Sequence, residues 1–213
     1  MRVSTGRLIT IEGLDGSGKS TLAAALAELV AARGAPVKLL REPGGEPCAE
    51  EIRALLKAAR PASVPTARAE ALLYAAARAQ LTERVLLPAI ERGSWVILDR
   101  FVDSSLAYQG GGRALGIAAV REINAFATRG LVPDRTLLLE LDGASGRARQ
   151  RARGERPDRL ERESDEFFAA VADTYDQLAA AEPERIRRID ASAEPERVLA
   201  AALGAISDLL AAL

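Results

Sequence analysis

The sequence predicts an α/β fold: a parallel sheet with helices on both faces. Three observations lead there. Short β-branched runs alternate with long Ala/Leu-rich stretches along the chain, as expected when each strand is joined to the next by a crossover helix. The first run passes through a glycine-rich turn directly into a helical stretch. The third observation is 48% hydrophobic residues over 213 positions, enough for one buried core without staples.

The elements follow in order. Leu8 to Glu12 is a strand. Lys19 to Arg33 is a helix closed by Gly34, and Val37 to Leu40 is the second strand. Glu50 to Ala59 is helical and stops before Pro61. Thr66 is the N-cap of a long helix to Glu91, bent at Pro88. Trp95 to Leu98 is a wholly apolar strand, Ile117 to Thr128 a helix, and Thr136 to Leu141 a strand. Arg147 to Arg162 is the most charged stretch. Ser164 to Ala181 is a helix whose Phe167, Phe168, Val171 and Tyr175 are spaced for a buried face. Arg187 to Asp190 is the last strand and Pro195 to Leu213 the last helix. No linker is long enough to separate two domains, so residues 1–213 are expected to form one.

Composition excludes several function classes. The 29 basic and 30 acidic side chains leave a net charge of -1, which argues against a general nucleic-acid coat. One Cys gives no disulfide framework within the chain and no zinc cluster. His is absent, so no Ser-His or Cys-His pair can act. No apolar run reaches membrane-spanning length. Met1 to Gly6 is too short for a signal peptide, and a reducing cytoplasm is the expected compartment.

The strongest signal is Gly13-Leu14-Asp15-Gly16-Ser17-Gly18-Lys19-Ser20, followed by Thr21, between the first strand and first helix. It fits G-x-x-x-x-G-K-[ST]. Such a loop turns several backbone N–H groups toward one anion, and the helix adds its positive end. Lys19 would reach the β- and γ-phosphates of a nucleoside triphosphate, and Ser20 would ligate Mg²⁺. The chain has only three Lys, Lys19, Lys38 and Lys57, and one stands at this position. The second signal is Val96-Ile97-Leu98-Asp99-Arg100, an apolar strand ending in an acid. Asp99 would hold Mg²⁺ or its water, and Arg100 beside it offers a fork for a second phosphate.

Five motifs in order carry a family resemblance: Glu12 to Ser20, Arg41-Glu42-Pro43-Gly44-Gly45, Tyr74 with Arg78, Asp99-Arg100-Phe101, and Ser104 to Gly110. An Arg-rich lid follows at Arg149 to Arg159. Over nearly its whole length the chain resembles the bacterial thymidylate (dTMP) kinases, among the nucleoside monophosphate kinases. The resemblance implies a P-loop kinase fold with a five-stranded parallel sheet, a lid over about 147–162, and usually a homodimer. It implies Mg²⁺, ATP as donor and dTMP as acceptor, in a step of dTTP synthesis. Asp15 would meet the sugar 3′-hydroxyl. Arg41, Arg53 and Arg100 would clamp the acceptor phosphate, with Pro43 beside them in a Glu42-Pro43 dipeptide that is often cis in relatives. Tyr74 would stack on the base and Arg78 donate to its O4. Ser104, Ser105 and Gln109 resemble a loop that reads the base edge, and Tyr108 would crowd the sugar's 2′ carbon. One class of the family carries its catalytic Arg inside the phosphate loop. Gly16 stands there in this chain, which points to the class whose lid supplies the charge, through Arg149, Arg153 and Arg151. Two rival readings remain open: a kinase for another pyrimidine nucleotide or deoxynucleoside, and an ATP-dependent switch that transfers nothing.

Overall fold

The computed structural model describes residues 6–58, 64–152, 154 and 158–211. Five parallel strands form one sheet in the order β2-β3-β1-β4-β5. They are β1 (Arg7–Gly13), β2 (Val37–Arg41), β3 (Trp95–Asp99), β4 (Arg135–Glu140) and β5 (Ile186–Asp190). The helices between them are α1 (Lys19–Ala32), α2 (Pro47–Lys57), α3 (Ala67–Leu81), α4 (Leu87–Glu91), α5 (Val102–Ser105), α6 (Ile117–Thr128), α7 (Gly143–Ala152) and α8 (Asp165–Ala181). After β5 come α9 (Pro195–Ala205) and α10 (Ser207–Leu210). Among the described residues, no helix is long and apolar enough to cross a membrane.

Alternation along the strands decides which helices cover which face. Ile9, Ile11, Ile97, Leu137 and Leu139 pack against Leu22, Leu26 and Val30 of α1 and Val198 and Ala202 of α9. Leu8, Val96 and Leu98 point the other way, onto Leu81, Leu86 and Phe101. On the same side Leu138 and Ile186 meet Val171, Tyr175 and Leu178 of α8. Both faces are covered, so the central strands are mostly apolar, and their buried polar side chains pair with one another or with the helices, as Thr10 does with Thr136 at 2.7 Å. Ile97 and Leu98 are wholly buried, each worth about 1.5–3 kcal/mol over exposure.

The structure departs from the sequence reading in four places. The long helix deforms before Pro88 rather than at it. Thr82–Leu86 forms a wider π-turn, and the Leu87 N–H donates to the Thr82 carbonyl five residues back. Proline has no N–H for the carbonyl four residues earlier, and its ring crowds that carbonyl; widening the preceding turn relieves both. The segment expected to be a base-reading loop is helical instead, α5 running on into a π-turn over Leu106–Gly112. There α8 lies so close that a Cβ on Gly111 would sit 2.0 Å from Thr174 Oγ1. The charged stretch begins within a helix, α7, whose start lies before Arg147. The last helix breaks at Ile206, whose buried side chain joins the core. The expected end of the second helix at Ala59 and Pro61, Met1 to Thr5, and Leu213 lie outside the described residues.

Candidate active site

All strands end on the same edge, and register brings the sequence signals level. Asp99 of β3 pairs with Ile11 on one side and with Arg41 on the other. That edge is the usual ligand face of a parallel sheet. There a cleft of about 420 Å³ opens, within the range of small-molecule sites.

The phosphate loop forms one wall. Gly13, Gly16 and Gly18 all have positive φ. Gly16 has a second reason to lack a side chain: a Cβ there would lie 2.2 Å from the Gly146 carbonyl of α7, which packs onto the loop. Asp15, Gly16, Gly18, Lys19 and Ser20 line the cleft. Gly13, Leu14, Ser17 and Thr21 do not, and the buried Ser17 hydroxyl has no partner among the described residues. Lys19 is 7% exposed, its Nζ donating to the Leu14 carbonyl at 2.8 Å. Burial, and then Arg100 nearby, lower its pKa to about 8. Ser20 Oγ donates to Asp99 Oδ2 at 2.6 Å, so the two expected metal ligands meet although 79 positions apart.

Arg100 and Asp15 face each other across this floor. Arg100 Nη2 lies 2.6 Å from Asp15 Oδ1 and its guanidinium 5.0 Å from the Tyr108 ring centroid. The Tyr108 hydroxyl donates to Asp15 Oδ2 at 3.2 Å. Burial works to raise the Asp15 pKa, but Arg100 and Lys19 outweigh it and hold it at about 2. Arg100 has φ 69°, a left-handed conformation that costs about 1–3 kcal/mol outside glycine. Its neighbours hold it there. Arg100 N–H donates to the Ile11 carbonyl at 3.0 Å, and Phe101 N–H to Glu12 Oε1 at 2.7 Å.

Glu12 is a residue the sequence reading passed over. It is wholly buried and also accepts from the hydroxyls of Ser104 and Tyr175. Burial first, and then Asp103, raise its pKa to about 7. Ser104 in turn accepts from Arg100 at 3.0 Å, so Glu12 braces the whole Arg100–Ser104 turn. Its signal was legible: a lone carboxylate in an otherwise dry strand needs partners.

The opposite wall comes from β2, α2, α3, α5 and the π-turn that follows it. Arg41 and Arg53 both donate to the Pro43 carbonyl, at 3.2 and 2.7 Å. The Glu42-Pro43 bond is cis. Tyr74 lines the cleft, and burial pushes its hydroxyl pKa up. Ser104, Ser105, Tyr108 and Gln109 line it too, but from the helical segment. Arg78 also lines the cleft, and every nitrogen of its guanidinium is engaged by the protein. Nε and Nη2 face Glu42 Oε2 at 2.7 and 2.6 Å. Nη1 donates to Ser105 at 2.8 Å and to Asn124, and Nη2 to the Phe101 carbonyl at 2.9 Å. At 2% exposure the charge would be untenable without them.

The lid arginines divide. Arg151 lines the cleft, and so does Arg147, which the sequence reading did not single out. Arg149 does not: it donates to the Ala191 carbonyl beyond β5 at 3.0 Å. Successive odd positions on a helix turn about 200° apart, so 147, 149 and 151 cannot all face one cleft. Arg153 and 155–157 lie outside the described residues. Past them the chain returns to the opposite wall. Lys57 and Asp158 pair at 3.0 Å, and Arg159 meets Glu70 of α3 at 2.5 Å.

The site thus has a phosphate loop with a hydroxyl–carboxylate pair on one side and an arginine-lined wall on the other. Comparisons with known proteins agree with it. The family model described as thymidylate kinase matches residues 11–202. The thymidylate kinase of Rhizorhabdus wittichii is 49% identical over 206 residues, spanning 96% of this chain and 99% of that one. That of Clavibacter sepedonicus is 48% identical, over 98% and 97%. A crystal structure of thymidylate kinase from Ehrlichia chaffeensis superposes with a TM-score of 0.76 at 28% identity, covering 96% of this chain and 98% of that one. A match that spans every wall of the cleft and nearly all of both chains leaves no part of the site to another origin: the chain belongs to the thymidylate kinase family.

Proposed function

We propose that the chain phosphorylates dTMP to dTDP with ATP as donor, by in-line transfer between two anions held in one cleft. The observation that carries this is the facing of Lys19 and the Ser20–Asp99 pair by Arg41, Arg53 and Arg100 around a single cavity. A dTMP phosphate oxygen attacks the γ-phosphorus. It needs no general base, since a phosphate monoester has a second pKa of about 6 and is mostly ionised at neutral pH. The absence of His is no obstacle.

Positioning and charge neutralisation are what remain for the protein to supply. Lys19 and the loop N–H groups hold the donor phosphates. Arg41, Arg53 and Arg100 hold the acceptor phosphate, and Asp15, fixed by Arg100 and Tyr108, receives the sugar hydroxyl. Tyr74 offers the base a ring. Arg78 acts by holding Glu42, Ser105 and the Phe101 carbonyl in the wall around the base. From the lid, Arg147 and Arg151 reach the transferring group, while Arg149 secures the lid to the β5–α9 turn. Residues 147–162 serve as a closing segment of a single kinase domain, and closure keeps water from the γ-phosphate.

Ser20 and Asp99 suit Mg²⁺. They are two oxygen donors, 2.6 Å apart, and Mg²⁺ in phosphate-transfer sites needs only one or two carboxylates because substrate oxygens and water complete its shell. When bound it neutralises charge on the β- and γ-phosphate oxygens.

We also assign the chain to a homodimer and to the cytoplasm. Phe126 on α6 is 88% exposed and Leu72 on the adjoining α3 is 56% exposed, an apolar pair that a second copy would cover. Light scattering should give about twice the 22.6 kDa chain mass, and Phe126→Glu should return it to the monomer mass; a wild-type monomer would remove the assignment.

The deciding experiment is product identification after mixing the protein with Mg²⁺-ATP and equal amounts of dTMP, dUMP, dCMP, dGMP and UMP. Predominant dTDP is expected. Another diphosphate would overturn the base assignment, and bound ATP with no diphosphate would favour a nucleotide switch.

A further inference from the structure

Glu70 of α3 has no exposed surface and takes no part in the phosphate chemistry above. Its carboxylate is saturated. Oε1 accepts from Gln109 Nε2 at 3.0 Å and Arg113 Nε at 3.2 Å. Oε2 accepts from Arg113 Nη2 at 3.2 Å and Arg159 Nη2 at 2.5 Å. Arg113 Nη2 is shared with Glu163, at 2.5 Å. Burial opposes ionisation of Glu70, but the donors on Arg113, Gln109 and Arg159 prevail and keep its pKa below the ordinary value.

An ionised carboxylate has no proton to give, so only a donor can face it. The amide of Gln109 therefore turns its NH₂ to Glu70, and its oxygen is the group left for the cleft that Gln109 lines. The usual ambiguity of an amide's orientation is removed by charge.

We propose that Glu70 is a specificity-determining positioning residue, which locks the Gln109 amide with its oxygen toward the base. The site then takes a base carrying a ring N–H at its pairing edge, the imide of thymine or uracil. It rejects cytosine, whose ring nitrogen there is an acceptor. Two acceptors pressed together in a buried pocket leave both unpaired. This inference rests on the pyrimidine-monophosphate reading above, and makes one of its walls answerable to a residue that never touches the substrate.

The test is Glu70→Gln, with kcat/KM measured for dTMP and for dCMP. The new amide should keep its oxygen toward the Nη2 groups of Arg113 and Arg159, since two guanidinium donors on that side outcompete the Gln109 amide and the single Arg113 Nε–H on the other. Its NH₂ then faces Gln109, which flips and offers N–H groups to the cleft. The dTMP:dCMP ratio of kcat/KM should fall by about tenfold or more, the worth of one mismatched buried hydrogen bond. A merely structural Glu70 would lower both constants in equal proportion and leave the ratio unchanged, which would overturn the proposal. Gln109→Met leaves the Glu70–Arg113–Arg159 cluster intact and guards against a Glu70 variant that fails to fold. It should erase the same preference, and adding Glu70→Gln to it should move the ratio no further. An unchanged ratio in Gln109→Met would overturn the proposal equally. If the wild type forms no dTDP, the underlying reading has failed instead, and this inference falls with it.

Discussion

Replacing Arg100 with Ala will lower kcat/KM for dTMP by about 10³-fold, the scale on which an arginine stabilises a transferring phosphoryl group. Three roles end together. On the proposed function, the acceptor phosphate loses a guanidinium able to grip two of its oxygens. Asp15 loses the guanidinium 2.6 Å away that holds it ionised. The turn at φ 69° loses the side chain that ties it to Ser104. Arg100→Lys separates charge from geometry: it keeps the charge but cannot fork, and should recover only part of the loss. Steady-state kinetics with both substrates varied is the measurement. Most of the loss should persist at saturating dTMP, because an arginine acting in the transition state changes kcat and not only KM. A fall below about tenfold in kcat/KM would mean that Arg100 serves chiefly to hold the turn.

Arg78→Ala will have the largest effect on stability, about 3–5 kcal/mol, as for breaking a buried ion pair from one side. The charge left behind is Glu42, 5% exposed, with one oxygen unpartnered even now among the described residues. Asn124, Ser105 and the Phe101 carbonyl lose a donor as well. For a chain of this length that loss corresponds to roughly 10 °C in Tm. Burial already pushes the Glu42 pKa up against the pull of Arg78; without Arg78 the carboxyl should protonate on folding. The variant should therefore regain stability more steeply as pH is lowered toward the carboxylate range than the wild type, where burial already raises this group against Arg78. Thermal unfolding between pH 5 and pH 8, about the range where most proteins are most stable, would show it. A variant with wild-type Tm would mean that water replaces the guanidinium at little cost.

Much of this was legible beforehand, and the reason is locality. The phosphate loop, its strand and its helix are contiguous, so spacing alone predicts their geometry. An apolar strand ending in Asp99 places that acid beside Ser20 of the phosphate loop because strands of a parallel sheet end at one edge. The strand order β2-β3-β1-β4-β5 was not written in any segment, but the two signatures on β1 and β3 needed only to be neighbours. Lid residues were readable as a class, since a run of like charges implies an anion. Which of them face the cleft was not, because the rotation of α7 depends on its packing against Gly16.

The sequence by itself determined the α/β class, the nucleotide loop and the arginines available for phosphate. Tertiary structure alone decided how those arginines are used. Arg78 is engaged by Glu42, 36 positions away. Arg159 is engaged by Glu70, 89 positions away, and Phe101 by Glu12 at the same separation. No periodicity links such pairs. A charge carries one meaning in water and another in a dry interior, where it must find its counterpart or be neutralised. Whether a given Arg or Glu is buried is settled only when the helices have docked on the sheet.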